Sequence, residues 1–198
     1  MSTFQKTDLD GVLFLEGNQK FADGRGFFRE DFHRRSLEEA LGEKWQHLQE
    51  NLGFNKKNVF RGFHIAPWSK LIHVPFGEVT AIIFDPRPDS PTFKKHQKFL
   101  LSHESGNRLY LPPGLGNAYF VVSDEAVYEY QVSMYFKDCF DNGIVERAIL
   151  YSDPELAIEW PSLDMITSEK DQKNPTLAEY IAQGFDQEIQ KNTGFKSS

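Results

Sequence analysis

Val59-Phe60-Arg61-Gly62-Phe63-His64-Ile65-Ala66-Pro67-Trp68-Ser69-Lys70-Leu71-Ile72-His73-Val74 sets an arginine, a histidine and a lysine into two short apolar runs. Each run is most simply a buried strand. Alternate residues of a regular strand share a face. Phe60, Gly62 and His64 are therefore expected on one side, and Arg61 and Phe63 on the other. An imidazole in an apolar cavity is well placed to act as a base. The competing reading of His64 is a core histidine bonded to a backbone carbonyl.

Outward from this stretch, residues 49–136 carry one strand signal after another. They include Lys70–Val74, Val79–Phe84, Lys98–Leu101, Arg108–Leu111, Ala118–Val122 and Ala126–Phe136. Turn sequences separate them: Phe76-Gly77-Glu78, Asp85-Pro86-Arg87-Pro88-Asp89, Glu104-Ser105-Gly106-Asn107 and Pro112-Pro113-Gly114. Short strands at close spacing with Gly/Pro turns predict a β-sandwich, barrel or jelly roll. There is no β–α alternation, which argues against a parallel doubly wound sheet.

Before this region, Val12–Leu15 and Phe27–Phe32 read as strands flanking an Asp23–Gly26 turn. Ser36-Leu37-Glu38-Glu39 reads as a capping box opening a helix to about Leu41. After it, Leu177, Ile181, Phe185 and Ile189 recur every four residues, the stripe of an amphipathic helix. Asn174-Pro175 is its expected start. Gly184 weakens that helix by roughly 1 kcal/mol relative to alanine. One domain over 1–190 is expected, with 191–198 a flexible tail.

Composition narrows the class. With 14% aromatic residues, 18 of them Phe, the 198-residue chain is not a disordered one. A net charge of -7 argues against nucleic acid or an anionic membrane as partner. A phosphorylated ligand would need a local basic cluster. The lone Cys139 excludes an intrachain disulfide and a multi-cysteine metal site. The N-terminus has no apolar signal core, and no apolar run approaches the about 20 residues of a membrane span. The expectation is a soluble cytoplasmic protein.

Six histidines occur, at 33, 47, 64, 73, 96 and 103, in neither His-x-His nor His-x-x-x-His spacing, so no metal is predicted. Walker, GxGxxG and Gly-x-Ser-x-Gly motifs are absent. Gly106-Asn-Arg-Leu-Tyr-Leu-Pro112-Pro-Gly114-Leu-Gly-Asn117 resembles the second sequence motif of the cupin superfamily. Position 117, where many cupins place a metal-binding histidine, is asparagine.

Other segments extend the likeness. They are Phe21–Phe32, Gln49-Glu-Asn51, Asn58–His64, Lys70-Leu71, Asp85-Pro-Arg87, Val121–Tyr130, Ser152–Pro161 and Ser168-Glu-Lys-Asp171. In this order the chain resembles the dTDP-4-dehydrorhamnose 3,5-epimerase family over about residues 8–175. The resemblance implies a mainly β, cupin-type jelly roll that binds a nucleoside-diphosphate 4-keto-6-deoxy sugar. It implies inversion at carbons beside the ketone, without cofactor or metal, in sugar-nucleotide biosynthesis for surface polysaccharide or a glycosylated product. It places the base at His64 with Asp171 as partner, Lys70 at the keto oxygen and Tyr130 as opposite-face acid. Phe21, Arg25, Glu30, Gln49, Asn51, Arg61, Asn117, Tyr135, Glu146 and Lys170 fall at substrate-binding positions. The Phe21–Arg25 segment would reach across the interface of a homodimer.

Three departures stand out. Gly116-Asn117-Ala118-Tyr119 replaces the family's usual Ala-His-Gly-Phe. The loop between His64 and Lys70 is short, and the segment between Tyr135 and Glu146 is long. They keep open a C3- or C5-only epimerase, a GDP- or CDP-linked hexose or heptose substrate, a sugar isomerase that moves the ketone along the ring, and a non-catalytic nucleotide-sugar-binding cupin.

Overall fold

The computed structural model describes residues 3–160, 164–185, 187 and 188. Thirteen strands lie among them. The first four are β1 (Gln5–Lys6), β2 (Leu13–Leu15), β3 (Phe21–Asp23) and β4 (Gly26–Phe28), followed by helix α1 (Arg34–Leu41). Then come β5 (Gln49–Lys56), β6 (Phe60–Ile65), β7 (Lys70–Phe76), β8 (Glu78–Phe84), β9 (His96–Ser102), β10 (Arg108–Leu111), β11 (Gly116–Val121) and β12 (Glu125–Val132). Helix α2 (Phe136–Asp141), β13 (Arg147–Ala148), two 3-10 turns at Pro154–Leu156 and Asp171–Lys173, and helix α3 (Leu177–Ala182) complete them.

A six-stranded sheet runs β1-β2-β10-β7-β12-β5 and a five-stranded sheet runs β13-β6-β11-β8-β9. Their strands pair antiparallel, and β3 and β4 form a separate hairpin. This is a jelly-roll sandwich, one of the architectures that the strand spacing predicts and the one that the resemblance implies.

Period-2 alternation sorts the core. Val79, Ala81 and Ile83 of β8 face Ile72, Val74, Leu109 and Leu111 of the other sheet. Ile82 and Phe84 point outward, with Phe60, Phe63, Ala118 and Phe120, under Leu156, Leu177 and Tyr180 of the C-terminal segment. Ala81-Ile82-Ile83-Phe84 of β8 is an unbroken apolar run because both faces of the strand are covered there. The outer side of the six-stranded sheet packs Leu71 and Tyr110 against Leu37 of α1 and Trp45.

Local chemistry departs from the sequence reading at three places. First, α1 begins at Arg34 with His33 as N-cap and no side-chain cap, so Ser36 lies within the helix. Second, α3 is capped by Thr176, not Asn174. Thr176 Oγ1 and the Glu179 side chain form a reciprocal capping box. Gly184, at φ 68°, follows the C-cap Gln183, so the described helix is shorter than the apolar stripe. Ile189 and residues 191–198 lie outside the described residues.

Third, β6 does not alternate regularly. Opposite β11, Asn117 pairs with His64 and Tyr119 with Arg61, so two residues of β6 oppose one of β11. This bulge turns Arg61 and His64 to the same face. Gly62 permits it. Its φ is 132°, and a Cβ there would lie 2.5 Å from the Ala118 Cβ.

The Asp85–Thr92 turn is a buried polar knot. Asp85, fully buried, accepts from Arg87 Nε and Nη2 (2.8 Å each), Ser90 Oγ (2.5 Å) and Thr92 Oγ1 (2.6 Å). Burial opposes its charge, but the Arg87 bonds and charge and the two hydroxyls outweigh that and hold its pKa below the ordinary value. Its stabilisation is therefore complete above the unfolded carboxylate range and lost as pH falls through the folded value. Asp85→Ala removes the closer carboxylate of buried Arg87, leaving Asp10 Oδ2 at 3.5 Å, and is expected to cost about 3 kcal/mol in urea unfolding at pH 7.

Candidate active site

A cavity of about 440 Å³ opens between the two sheets. Arg61, His64, Asn117 and Tyr119 line it from the five-stranded sheet. Asn51, Gly53, Lys70, Tyr128 and Tyr130 line it from the six-stranded sheet, and Glu146 closes one side. The strand register explains the grouping. Tyr130 lies between Asn51 of β5 and Ile72 of β7, with Lys70 two residues from Ile72 on the same face.

His64 Nε2 is 3.2 Å from Asp171 Oδ1. Asp171 reaches it from 107 positions away because the C-terminal segment docks along β6. Phe60 N–H donates to the Ile166 carbonyl (2.9 Å) and Ile166 N–H to the Asn58 carbonyl (2.8 Å). Asp171 is 3% exposed, and its own N–H donates to Ser168 Oγ (3.1 Å). Burial works against its charge. The bond to His64, the charge of that ring, Ser168 and the Gly62 N–H together prevail and keep the carboxyl below its ordinary pKa. An ionised Asp171 accepts from Nε2–H, which leaves Nδ1 as the basic nitrogen.

Lys70, 4% exposed, donates from Nζ to Glu146 Oε1 at 3.1 Å and stands 5.3 Å from the centre of the Tyr130 ring. Burial raises the Glu146 pKa, but the charges of Lys70 and His64 overcome this and leave it lowered. Burial, then the charge of Glu146, pushes the Tyr130 phenol above its ordinary value. Tyr130 is therefore a protonated acid throughout the neutral range.

Arg61 and Asn51 extend the lining of the same cavity, and Phe21, Arg25, Glu30, Gln49, Tyr135 and Lys170 are not among the residues that line it. Arg61 Nε donates to Asn55 Oδ1 at 2.8 Å. Gln49 Nε2 donates to Asn51 Oδ1 (2.8 Å), and Gln49 Oε1 accepts from the Phe136 N–H at 2.9 Å. Tyr135, exposed, is the N-cap of α2. Lys170, N-cap of the 171–173 turn, is close enough to Glu146 to lower its pKa. Phe21 and Arg25 do not reach the cavity within the chain. They lie on the β3–β4 hairpin, where Arg25 Nη2 pairs with Asp23 at 2.6 Å, and Glu30 follows that hairpin.

Two residues of the site escape a sequence reading. Tyr119 and Tyr128 look like core aromatics, yet both line the cavity and stack on each other at 3.9 Å and 12°. Only the i, i+2 relation of Tyr128 to Tyr130 hints at it. Among the described residues, no three or more His, Cys, Asp or Glu side chains converge as metal ligands.

A jelly roll with a His–Asp pair, a buried lysine and the half-buried Tyr130 about one inter-sheet cavity defines a cupin-type enzyme built for proton transfer. Comparison with known proteins makes this specific. The family model for dTDP-4-dehydrorhamnose 3,5-epimerase matches residues 6–179, and the chain belongs to that family. It is 37% identical over 170 residues to the dTDP-4-dehydrorhamnose 3,5-epimerase of Shigella flexneri, covering 84% of this chain and 91% of that protein. It is 31% identical over 175 residues to the dTDP-4-dehydrorhamnose 3-epimerase of Streptomyces niveus, covering 86% and 82%. The crystal structure of dTDP-6-deoxy-D-glucose-3,5-epimerase from Legionella pneumophila in complex with dTDP-4-keto-L-rhamnose superposes with a TM-score of 0.81. That pair shares 31% identity, and the match covers 92% of this chain and 96% of the other.

Proposed function

We propose that the chain epimerises a nucleoside-diphosphate 4-keto-6-deoxy sugar at carbons beside the ketone. One observation carries this: His64 and Tyr130 enter a single cavity from opposite sheets. A sugar ring between them meets a base on one face and an acid on the other, as inversion requires. His64 Nδ1 takes the proton from the carbon next to the carbonyl. The Lys70 ammonium stabilises the enolate that forms. Tyr130 returns a proton from the other face, and Asp171 stabilises the transient imidazolium. A ketone-moving isomerase would not need that opposite-face acid.

The diphosphate is assigned to Arg61 and, from a second copy, Arg25, whose guanidinium forks suit paired phosphate oxygens. Gln49, Asn51, Glu30, Phe21, Glu146 and Lys170 are proposed to complete the substrate site, with Tyr135 stacking near the base. A homodimer is supported by the exposed Phe21, Phe27 and Phe28 of the hairpin and by the exposed Leu52 and Phe54 of β5. A cytoplasmic setting fits the single, buried free cysteine.

The test is proton NMR in D2O with 4-keto sugar nucleotides made in situ in dTDP, GDP and CDP forms. Deuterium at C3 and C5 marks a double epimerase, and at one centre a mono-epimerase. Binding without exchange would replace the enzyme by a binding module. Asp171→Asn is expected to lower turnover about 10- to 100-fold, roughly the worth of one hydrogen bond to a charged group. Single-turnover kinetics would read it.

A further inference from the structure

Asn117 lies directly opposite His64 on the β6–β11 ladder and is only 7% exposed. Its Oδ1 accepts from the hydroxyl of Tyr128 at 3.0 Å. Tyr128 is itself 1% exposed, and this is the hydrogen bond its hydroxyl makes. The orientation of the amide follows from satisfying that hydroxyl. Were the amide turned over, the buried O–H would lose its acceptor, and an orphaned buried donor is costly. With the oxygen toward Tyr128, Nδ2 has no hydrogen-bond partner among the described residues, and Asn117 lines the cavity.

The lock is itself held. The Tyr128 ring stacks on Tyr119, and opposite Tyr128 on β5 is Gly53, which leaves room for the pair. Burial, reinforced by the neighbouring phenols, keeps Tyr128 protonated, so it remains a donor at any working pH.

We infer that Tyr128 is a positioning residue that fixes the Asn117 amide as a one-way hydrogen-bond donor to an oxygen of the sugar, next to the carbon His64 deprotonates. The inference rests on the epimerase reading. Position 117 then offers two N–H bonds and can neither take nor give up a proton. Its ligand is an acceptor oxygen, carbonyl, enolate or hydroxyl, and not a C–H or a cation. Where an imidazole at this position could exchange a proton with the sugar, Asn117 leaves that exchange to His64 and Tyr130.

A double-mutant cycle on kcat/KM for the 4-keto sugar nucleotide tests this, with dTDP binding by calorimetry beside it. Tyr128→Phe is expected to lower kcat/KM about 5- to 10-fold, the worth of one hydrogen bond. In an Asn117→Ala background the same change should alter kcat/KM by less than twofold, because the amide it positions is gone. Asn117→Asp keeps the bond from Tyr128 but replaces the donor by an acceptor, and should lose about 100-fold or more. The Kd for dTDP, which lacks the 4-keto sugar ring, should stay within twofold in all variants. Additive losses in the cycle, an unchanged Tyr128→Phe enzyme, or parallel weakening of dTDP binding would each overturn the assignment while leaving the epimerase reading intact. A wild-type protein that neither binds nor exchanges any 4-keto sugar nucleotide would overturn both.

Discussion

Replacing His64 by alanine is expected to cut deuterium entry from D2O into the sugar by about 10³-fold or more, with turnover falling in step. The proposed cycle has no other base on that face. Asn117, opposite it on the ladder, cannot accept a proton, and Asp171 is spent on Nε2 rather than on the substrate. The His64 side chain is 30% exposed, so its truncation leaves no large core void. A thermal midpoint near that of the wild type, together with the lost exchange, would locate the defect in chemistry. An exchange rate within tenfold of the wild type would remove His64 from the mechanism.

Tyr130→Phe separates the two halves of the reaction. One oxygen is lost, while the ring and its contact with Lys70 are kept. His64 still abstracts and returns protons on its own face, so deuterium should continue to enter with retention of configuration. Inversion should fall about 10²- to 10³-fold. NMR that resolves isotope content from configuration reads both at once. Equal loss of exchange and inversion would give Tyr130 a binding role instead. Because burial and Glu146 hold this phenol above its ordinary pKa, inversion by the wild type should not decline on the alkaline side until pH exceeds about 10.

The core was legible in the chain because β8, β10 and β11 lie in apolar-rich segments set off by Gly and Pro turns. The helices were less legible. Ser36 and Asn174 carry good capping chemistry, yet packing of Leu37 and Leu177 set where each helix starts. The Asp85-Pro-Arg87 turn showed itself as a turn, but not as a buried ion pair, since burial is a property of what covers it.

By itself the amino-acid order determined the mainly β class, a sandwich, barrel or jelly roll, through short strands at close spacing between Gly and Pro turns, and the membership of His64, Lys70, Tyr130 and Asp171 in one family pattern. Only the tertiary structure decided that Arg61 shares a face with His64, because a bulge at Gly62 breaks the alternation that any single-strand reading must assume. It also decided that Asp171, a solvated carboxylate in a Ser-Glu-Lys-Asp turn on local reasoning, is buried behind the histidine. That contact joins residues 107 apart through one bridge at Val59 and Ile166. Such a long-range pairing leaves no periodic mark in sequence, and the charge of a carboxylate is set by the neighbours that burial brings to it.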